Sequence, residues 1–211
     1  KKKQVDVQCW HGTPLKRLGY DITTDGNAMN NLKDLRKKYK EDSKRYTHML
    51  SPSPFCTEKF TSAFNLEDPS IIEELGYPRN DALYNPSYDR INDIKEKLGL
   101  PKDKRIILYA PTWRDDKHQV GLGYTYELGV DFDELQNELG GEYVILFRPH
   151  YFVANSFDFE KYRGFVYNVA DYDEINDLYM IADLLITDYS SVFFDYANLN
   201  RPIIFYMYDL E

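Results

Sequence analysis

Directly after a strand-like segment, the stretch "VQCWHGTPLKRLGYD" (Val7 to Asp21) places an imidazole at His11, a glycine at Gly12, a hydroxyl at Thr13 and two cations at Lys16 and Arg17. An imidazole titrates near neutral pH and can carry a proton. The glycine lets backbone approach a ligand closely. The stretch reads either as a turn ahead of a helix or as an anion site holding a proton-transfer group. Four more clusters bear on that choice. "GYPRND" carries Arg79, "APTWRDD" carries Thr112 and Arg114, "FRPH" carries Arg148 and His150, and "TDYSS" carries Ser190 and Ser191. Taken singly each has a plain reading. Arg-Pro-His is a common turn, Ser-Ser ahead of a helix is a common N-cap, and Arg79 beside Asn80-Asp81 suits a turn ion pair. Taken together they describe phosphate chemistry. Ser190 and Ser191 open a helix whose free N–H groups and dipole attract an anion. Arginines fork onto phosphate oxygens, and the two histidines can shuttle a proton.

Other polar groups fit less well. Asp171-Tyr172-Asp173 has an Asp-x-Asp spacing, but it stands just ahead of a helix and reads as capping and dipole complement. No carboxylate cluster of metal-binding spacing accompanies the cationic clusters. His48 reads as a core residue within a strand, and His118 falls in the Gly-containing loop Lys117–Gly129.

The elements that must position these clusters follow a regular rhythm. Asn27 to Arg45 is polar and basic with Met29, Leu32, Leu35 and Tyr39 at helical spacing. "THMLSPSPF" is a short strand running into a helix with Ser53 as N-cap and Pro54 behind it. "IIEELGYPRND" ends an element in a glycine turn with an exposed arginine, and Ser87 to Leu98 is a helix closed by Gly99. From Arg105 onward, "RIILYA", "YVILF", "GFVYNV", "DLLIT" and "PIIFY" are short apolar strands. "DFDELQNEL", "DEINDLYMIA" and "SSVFFDYANL" are helices between them. Continuous apolar strands alternating with helices predict an α/β parallel sheet covered on both faces. Ligands of such sheets bind beyond the carboxyl ends of the strands, which is where the clusters sit.

Composition sets the outer bounds. The 211 residues are 43% hydrophobic and 29% charged, a soluble globular balance able to bury a full core. Nineteen tyrosines and twelve phenylalanines can line a pocket or simply fill core and surface. Two cysteines make neither a disulfide framework nor a metal knuckle, which suits a reducing compartment. No apolar run approaches the roughly 18 residues of a membrane span. The net charge of −9 hides a gradient. Residues 1–60 hold 13 Lys/Arg against 7 Asp/Glu, and the remainder hold 13 against 28. The basic first third suits anionic lipid or a polyanionic substrate, or is a solvated lysine-rich face. Both ends run close against strands, so the chain is expected to be a fragment of a longer protein.

"CWHGTPLKRLG", "GYPRND", "YAPTWRDD", "FRPH" and "TDYSSVFFDYANLNRPIIFY", in this order, resemble the CDP-glycerol glycerophosphotransferases of Gram-positive wall teichoic acid synthesis. Primases, polymerases and ribitol-phosphate transferases belong to this group, and the resemblance covers nearly the whole chain. It implies a GT-B-type architecture of Rossmann-like domains, with this chain as the carboxyl-terminal donor-binding part. Residues 1–26 would be the strand and catalytic loop leading in, and residues 27–211 the CDP-glycerol-binding domain. It further implies transfer of glycerol phosphate from CDP-glycerol to a terminal hydroxyl of a lipid-linked glycerol phosphate polymer, with release of CMP. The enzyme would act as a peripheral protein on the anionic cytoplasmic face of the membrane, without metal, organic cofactor or nucleic-acid partner. Carried over position by position, His11 and His150 are the catalytic pair. Gly12, Thr13, Pro14, Leu15, Arg79, Pro111, Thr112, Arg114, Arg148, Pro149, Ser190, Ser191 and Asp195 form the donor site. Asp195 would hold a substrate hydroxyl or orient a histidine, and the roles of the two histidines can be exchanged. Rival readings are ribitol-phosphate transfer from CDP-ribitol, a sugar-nucleotide glycosyltransferase or epimerase on the same scaffold, and a non-catalytic nucleotide-binding domain.

Overall fold

The computed structural model describes residues 4–23, 31–112, 118–119, 123–124, 129–149 and 157–209. The chain divides into two compact units, Lys1–Asp81 and Ala82–Glu211.

The first unit is built on a three-stranded parallel sheet of β1 (Val7–Gln8), β2 (His48–Ser51) and β3 (Ile72–Glu74), in the order β1-β2-β3. Within this unit β1, ahead of residue 27, pairs with β2 behind it. Helix Pro54–Ala63 starts as the sequence predicts. Ser53 accepts a hydrogen bond from the Cys56 amide, and Pro54 occupies the first turn, where its missing N–H costs nothing. Cys56, Phe60 and Ala63 of this helix pack with Met49 and Phe64 into a small core, against which Trp10, Tyr39 and Tyr46 lean. The basic helix spans Leu32–Ser43, capped by the Asn31 side chain on the Lys33 amide at 2.8 Å. Met29 lies outside the described residues, while Leu32, Leu35 and Tyr39 are half-buried. His48 differs from expectation. It is the first residue of β2, it is exposed, and its Nδ1 lies 2.6 Å from Glu73 Oε1, so it is a surface hydrogen-bond partner and not a core residue.

The second unit carries a five-stranded, wholly parallel sheet. Its strands are β4 (Arg105–Ala110), β7 (Tyr143–Phe147), β8 (Val166–Asn168), β9 (Leu184–Thr187) and β10 (Ile203–Phe205), ordered β10-β9-β4-β7-β8. A two-stranded antiparallel pair, β5 (His118–Gln119) and β6 (Gly123–Tyr124), lies between β4 and β7 in sequence. Alternate residues of the central strands face opposite cores. Ile106, Leu108, Val144, Leu146 and Leu185 pack against helices Tyr88–Lys97 and Ile175–Ile181. Ile107, Tyr109, Ile145 and Phe147 pack against helix Phe132–Leu139 and an aromatic group of Phe157, Phe159, Tyr162 and Phe165. Helices on both faces explain why the strands read as continuous apolar runs. They also show where many of the phenylalanines went, namely into ring-on-ring packing such as Phe132 on Phe157 at 4.9 Å. From β4 the chain winds outward through β7 to β8, then returns to the other side of β4 for β9 and β10. The strand order therefore reverses between β4 and β9, the switch point at which open α/β sheets bind ligands.

Gly19 shows how tightly the segment behind the His11 loop is held. Its φ is +46°, and a Cβ there would lie 2.2 Å from the Ala63 carbonyl oxygen and 2.5 Å from the Tyr39 ring. Gly19→Ala combines left-handed strain with a backbone clash and should cost at least about 2 kcal/mol. Urea unfolding with an unshifted midpoint would show that neither constraint operates.

Candidate functional site

In the first unit the chemistry collects at the carboxyl end of β1. Trp10 adopts φ +51°, in the left-handed region. The other described non-glycine residues there are Asn65, Asn85 and Asn200, a residue type that tolerates it. A tryptophan does not, so the loop stores strain of the kind that clusters at functional sites. The strain is compensated by packing. The Trp10 indole meets Phe64 edge-on at 4.9 Å, and its amide donates to Gln8 Oε1 at 2.8 Å. His11 is exposed, its ring tilted over the Trp10 indole with centroids 4.3 Å apart. Gly12 and Thr13 are buried directly behind it. Pro14 is half-buried and Leu15 is 45% exposed, so the loop surfaces again.

Two residues from the turn after β3 hold this loop. The Tyr77 hydroxyl donates to the Gly12 carbonyl at 3.3 Å. Burial raises the Tyr77 phenol above its ordinary pKa, and a hydrogen bond with the Thr13 side chain partly offsets this. The Arg79 guanidinium lies 3.8 Å above the Tyr77 ring, a cation–π contact, and Nη1 reaches the Trp10 carbonyl at 3.5 Å. Arg79 is therefore half-buried rather than exposed, because the left-handed Gly76 turns the chain back across the His11 loop. His11, Gly12, Thr13 and Arg79 do come together within this unit. Tyr77, two positions before Arg79, joins them.

In the second unit the expected residues flank the switch point. Thr112 follows β4, and Ser190 and Ser191 follow β9. Between them lies Asp188, only 3% exposed. Its Oδ1 accepts hydrogen bonds from the Thr112 amide at 2.8 Å, the Thr112 hydroxyl at 2.7 Å and the Tyr189 amide at 2.7 Å. The Thr187 hydroxyl adds a bond to the Ala110 carbonyl at 2.8 Å. The two strand ends are thus stitched together by side chains beyond the last ladder bond. Asp188 stood in "TDYSS" as a spacer between more obvious groups. The signal that finds it is an acidic residue at the end of an apolar central strand, where a buried charge must have dedicated donors.

Pro111 is half-buried, Pro149 is buried, and Arg148 is partly buried. The Arg148 Nη1 donates to the carbonyls of Val169 and Tyr172, each at 2.8 Å, tying β7 to the turn beyond β8. Desolvation lowers its pKa while Asp171 nearby opposes the shift, and a guanidinium remains cationic throughout. The cap of helix Ile175–Ile181 is Glu174, not Asp171 or Asp173, and it makes no side-chain capping bond. The helix after Ser191 is short, Val192–Tyr196, followed by a 3-10 turn Ala197–Leu199. Ser191 makes no side-chain cap bond, and the Ser190 hydroxyl accepts from the Val192 amide at 3.4 Å. Asp195 is half-buried one turn after Ser191. Arg114 and His150 lie outside the described residues.

The Asp188 hub yields a stability ordering. Asp188→Ala leaves buried amides without an acceptor and should cost about 3 kcal/mol, while Asp188→Asn keeps one acceptor oxygen and should cost roughly half of that. Denaturant melts in which the two variants behave alike would remove the carboxylate from this role.

The whole chain, residues 1–211, matches the family model described as CDP-Glycerol:Poly(glycerophosphate) glycerophosphotransferase. It is 45% identical over 206 residues to the teichoic acid poly(glycerol phosphate) polymerase of Bacillus subtilis (strain 168), covering 97% of this chain and 27% of that protein. The teichoic acid glycerol-phosphate transferase of Staphylococcus aureus (strain NCTC 8325 / PS 47) is 44% identical over 207 residues, covering 97% of this chain and 52% of its own. A structure of a variant of the wall teichoic acid polymerase TagF soaked with CDPG superposes with a TM-score of 0.90 at 41% identity, covering 100% of this chain and 50% of that one. The chain spans about half or less of the length of these relatives. By its sequence along its full length, and by an α/β fold of the expected GT-B type, it belongs to the CDP-glycerol:poly(glycerophosphate) glycerophosphotransferase family.

Proposed function

We propose that this chain is the donor-binding and catalytic region of an enzyme that moves glycerol phosphate from CDP-glycerol to the terminal hydroxyl of a lipid-linked glycerol phosphate polymer, releasing CMP. The observation that carries this reading is the strained loop after β1. A tryptophan is held at φ +51°, and the exposed imidazole of His11 rests on its ring. Family membership and the soaked TagF structure support the donor.

The acceptor alcohol attacks the β-phosphorus of CDP-glycerol. A new O–P bond forms, the bridging O–P bond of the diphosphate breaks, and CMP leaves with that oxygen. An alcohol needs a base at the moment of attack, and a positioned imidazole contributes roughly 10²–10⁴-fold. His11 takes that proton in this reading, and His150 serves as the partner that stabilises or protonates the leaving phosphate; the two roles are exchangeable. Buried Gly12 and Thr13 fix the imidazole's direction, with Arg79 and Tyr77 clamping them from behind. In the second unit, Ser190 and Ser191 after β9 present hydroxyl donors to phosphate oxygens, while Pro111 and Thr112 after β4 shape the neighbouring wall, Thr112 committing its amide and hydroxyl to Asp188. Arg148 and Arg114 supply positive charge as the diphosphate develops its own, and Asp195 holds a polyol or ribose hydroxyl. The scheme asks for no metal or organic cofactor.

No helix among the described residues is long and apolar enough to cross a membrane. We place the enzyme on the cytoplasmic face as a peripheral protein, since a lipid-linked acceptor and a CDP-activated donor meet there.

In the full-length protein, His11→Ala should lower CMP release from CDP-glycerol by at least about a hundredfold while the variant remains folded by circular dichroism. Retention of most activity would take His11 out of the mechanism. Running the same assay with CDP-ribitol and with UDP-sugars decides the donor. Faster turnover of CDP-ribitol would make this a ribitol-phosphate enzyme, and binding without CMP release from either would make it a nucleotide-binding domain.

A further inference from the structure

Helix Leu32–Ser43 and its C-cap, Lys44, carry a feature that the transfer chemistry does not use. Lys33, Lys37, Lys40 and Lys44 follow one another at steps of four, three and four residues. At 100° per residue they share a stripe about 60° wide, and at 1.5 Å per residue they stand about 6 Å apart along the axis. All four are exposed. Asp34 and Glu41 lie on the same helix, yet none of the four lysines makes an ion pair among the described residues. The neighbouring Arg45 does take a partner, Asp42. Arg36 turns the other way, its Nη2 donating to the carbonyls of Tyr20 and Ile22. Like charges at this spacing repel one another by a few tenths of a kcal/mol per pair. A protein that gains nothing from the row would be expected to interleave acids along it.

We infer that this row is a track for a linear polyphosphodiester, the growing or accepting polymer of the reaction proposed above, on which the inference rests. Two observations favour a thread over a bilayer. A helix that binds a membrane surface lays a free apolar face into it. Here that face is largely used, since Leu32, Leu35 and Tyr39 are half-buried and Tyr39 packs on Phe64 with centroids 5.1 Å apart. What remains outward is the narrow lysine row, flanked by the exposed Asp34, Lys38 and Glu41, and a row of that width is matched to a chain rather than to a plane. The spacing lets the flexible lysine stems reach successive phosphates joined by three-carbon polyols. Each phosphate neutralised releases counterions, so such binding is strongly salt-dependent.

The test uses the full-length protein and its Lys33→Gln/Lys37→Gln/Lys40→Gln/Lys44→Gln variant, with the matching quadruple Arg variant as a charge-preserving control. Glutamine and arginine are good helix formers, so the helix persists in both. Anisotropy with a labelled glycerol phosphate oligomer long enough to span the row should show affinity falling at least about tenfold in the Gln variant, with a shallower salt dependence. The Arg variant should bind as the parent does. CMP release with a single-unit acceptor should be unchanged in both. Oligomer binding equal to the parent at every salt concentration would overturn the inference. So would loss of binding to phosphatidylglycerol vesicles while oligomer affinity holds, which would make the row a bilayer contact. If neither parent nor variant releases CMP but oligomer affinities still differ, the track stands and the donor reading falls.

Discussion

A single buried oxygen organises the second unit. Asp188 Oδ1 gathers two donors from Thr112 and one from Tyr189, and in doing so joins the carboxyl ends of β4 and β9. Those are the strands between which the winding direction of the sheet reverses. Strand ladders fix spacing and register, but they stop where backbone pairing stops. Beyond that point loops ordinarily spread. A carboxylate removed from water needs donors with it, and satisfying it obliges two loops to keep one geometry. The hydroxyls and amides that follow are held by a rigid element, the arrangement a binding site requires if it is not to pay an ordering cost with each ligand.

The first unit solves the same problem by different means. Its sheet is small, with β1 only two residues long, so ladder bonds alone cannot direct the loop that follows. Aromatic packing does it. Trp10 is wedged against Phe64, the Tyr77 hydroxyl grips the Gly12 carbonyl, and Arg79 lies on Tyr77. Strain at Trp10 persists because the packed rings around it over-determine its place. The outcome is an imidazole that is exposed yet backed by rings and buried backbone.

Much of this was legible in the sequence, for identifiable reasons. Strands buried on both faces betray themselves as unbroken apolar runs, so β4, β7 and β9 and the helices between them are legible close to their true limits; β10 carries the same kind of run although Ile204 and Phe205 are exposed. Caps are local chemistry, which is why Ser53, Ser87 and Asp131 stand at helix starts as their types suggest. What failed was tertiary. Nothing local separates a strand histidine in the core from one at the strand's first position, and His48 proved to be a surface partner of Glu73. Arg79 looked like an exposed turn residue because the ring it lies on, two positions earlier, folds beneath it only through the left-handed Gly76. Asp188 and Tyr77 were overlooked for a related reason. Their importance lies in bonds to residues 76 and 65 positions away, and no window on the sequence contains both ends.

The two cysteines have unequal fates. Cys56 is buried under helix Pro54–Ala63, where desolvation lifts its thiol above the ordinary value and keeps it protonated and shielded. Cys9 is exposed, two positions before His11. A soluble alkylating reagent therefore meets one sulfur and misses the other. The fold supplies a ready attachment point for a fluorophore or spin label beside the candidate base, with no mutation of the chain.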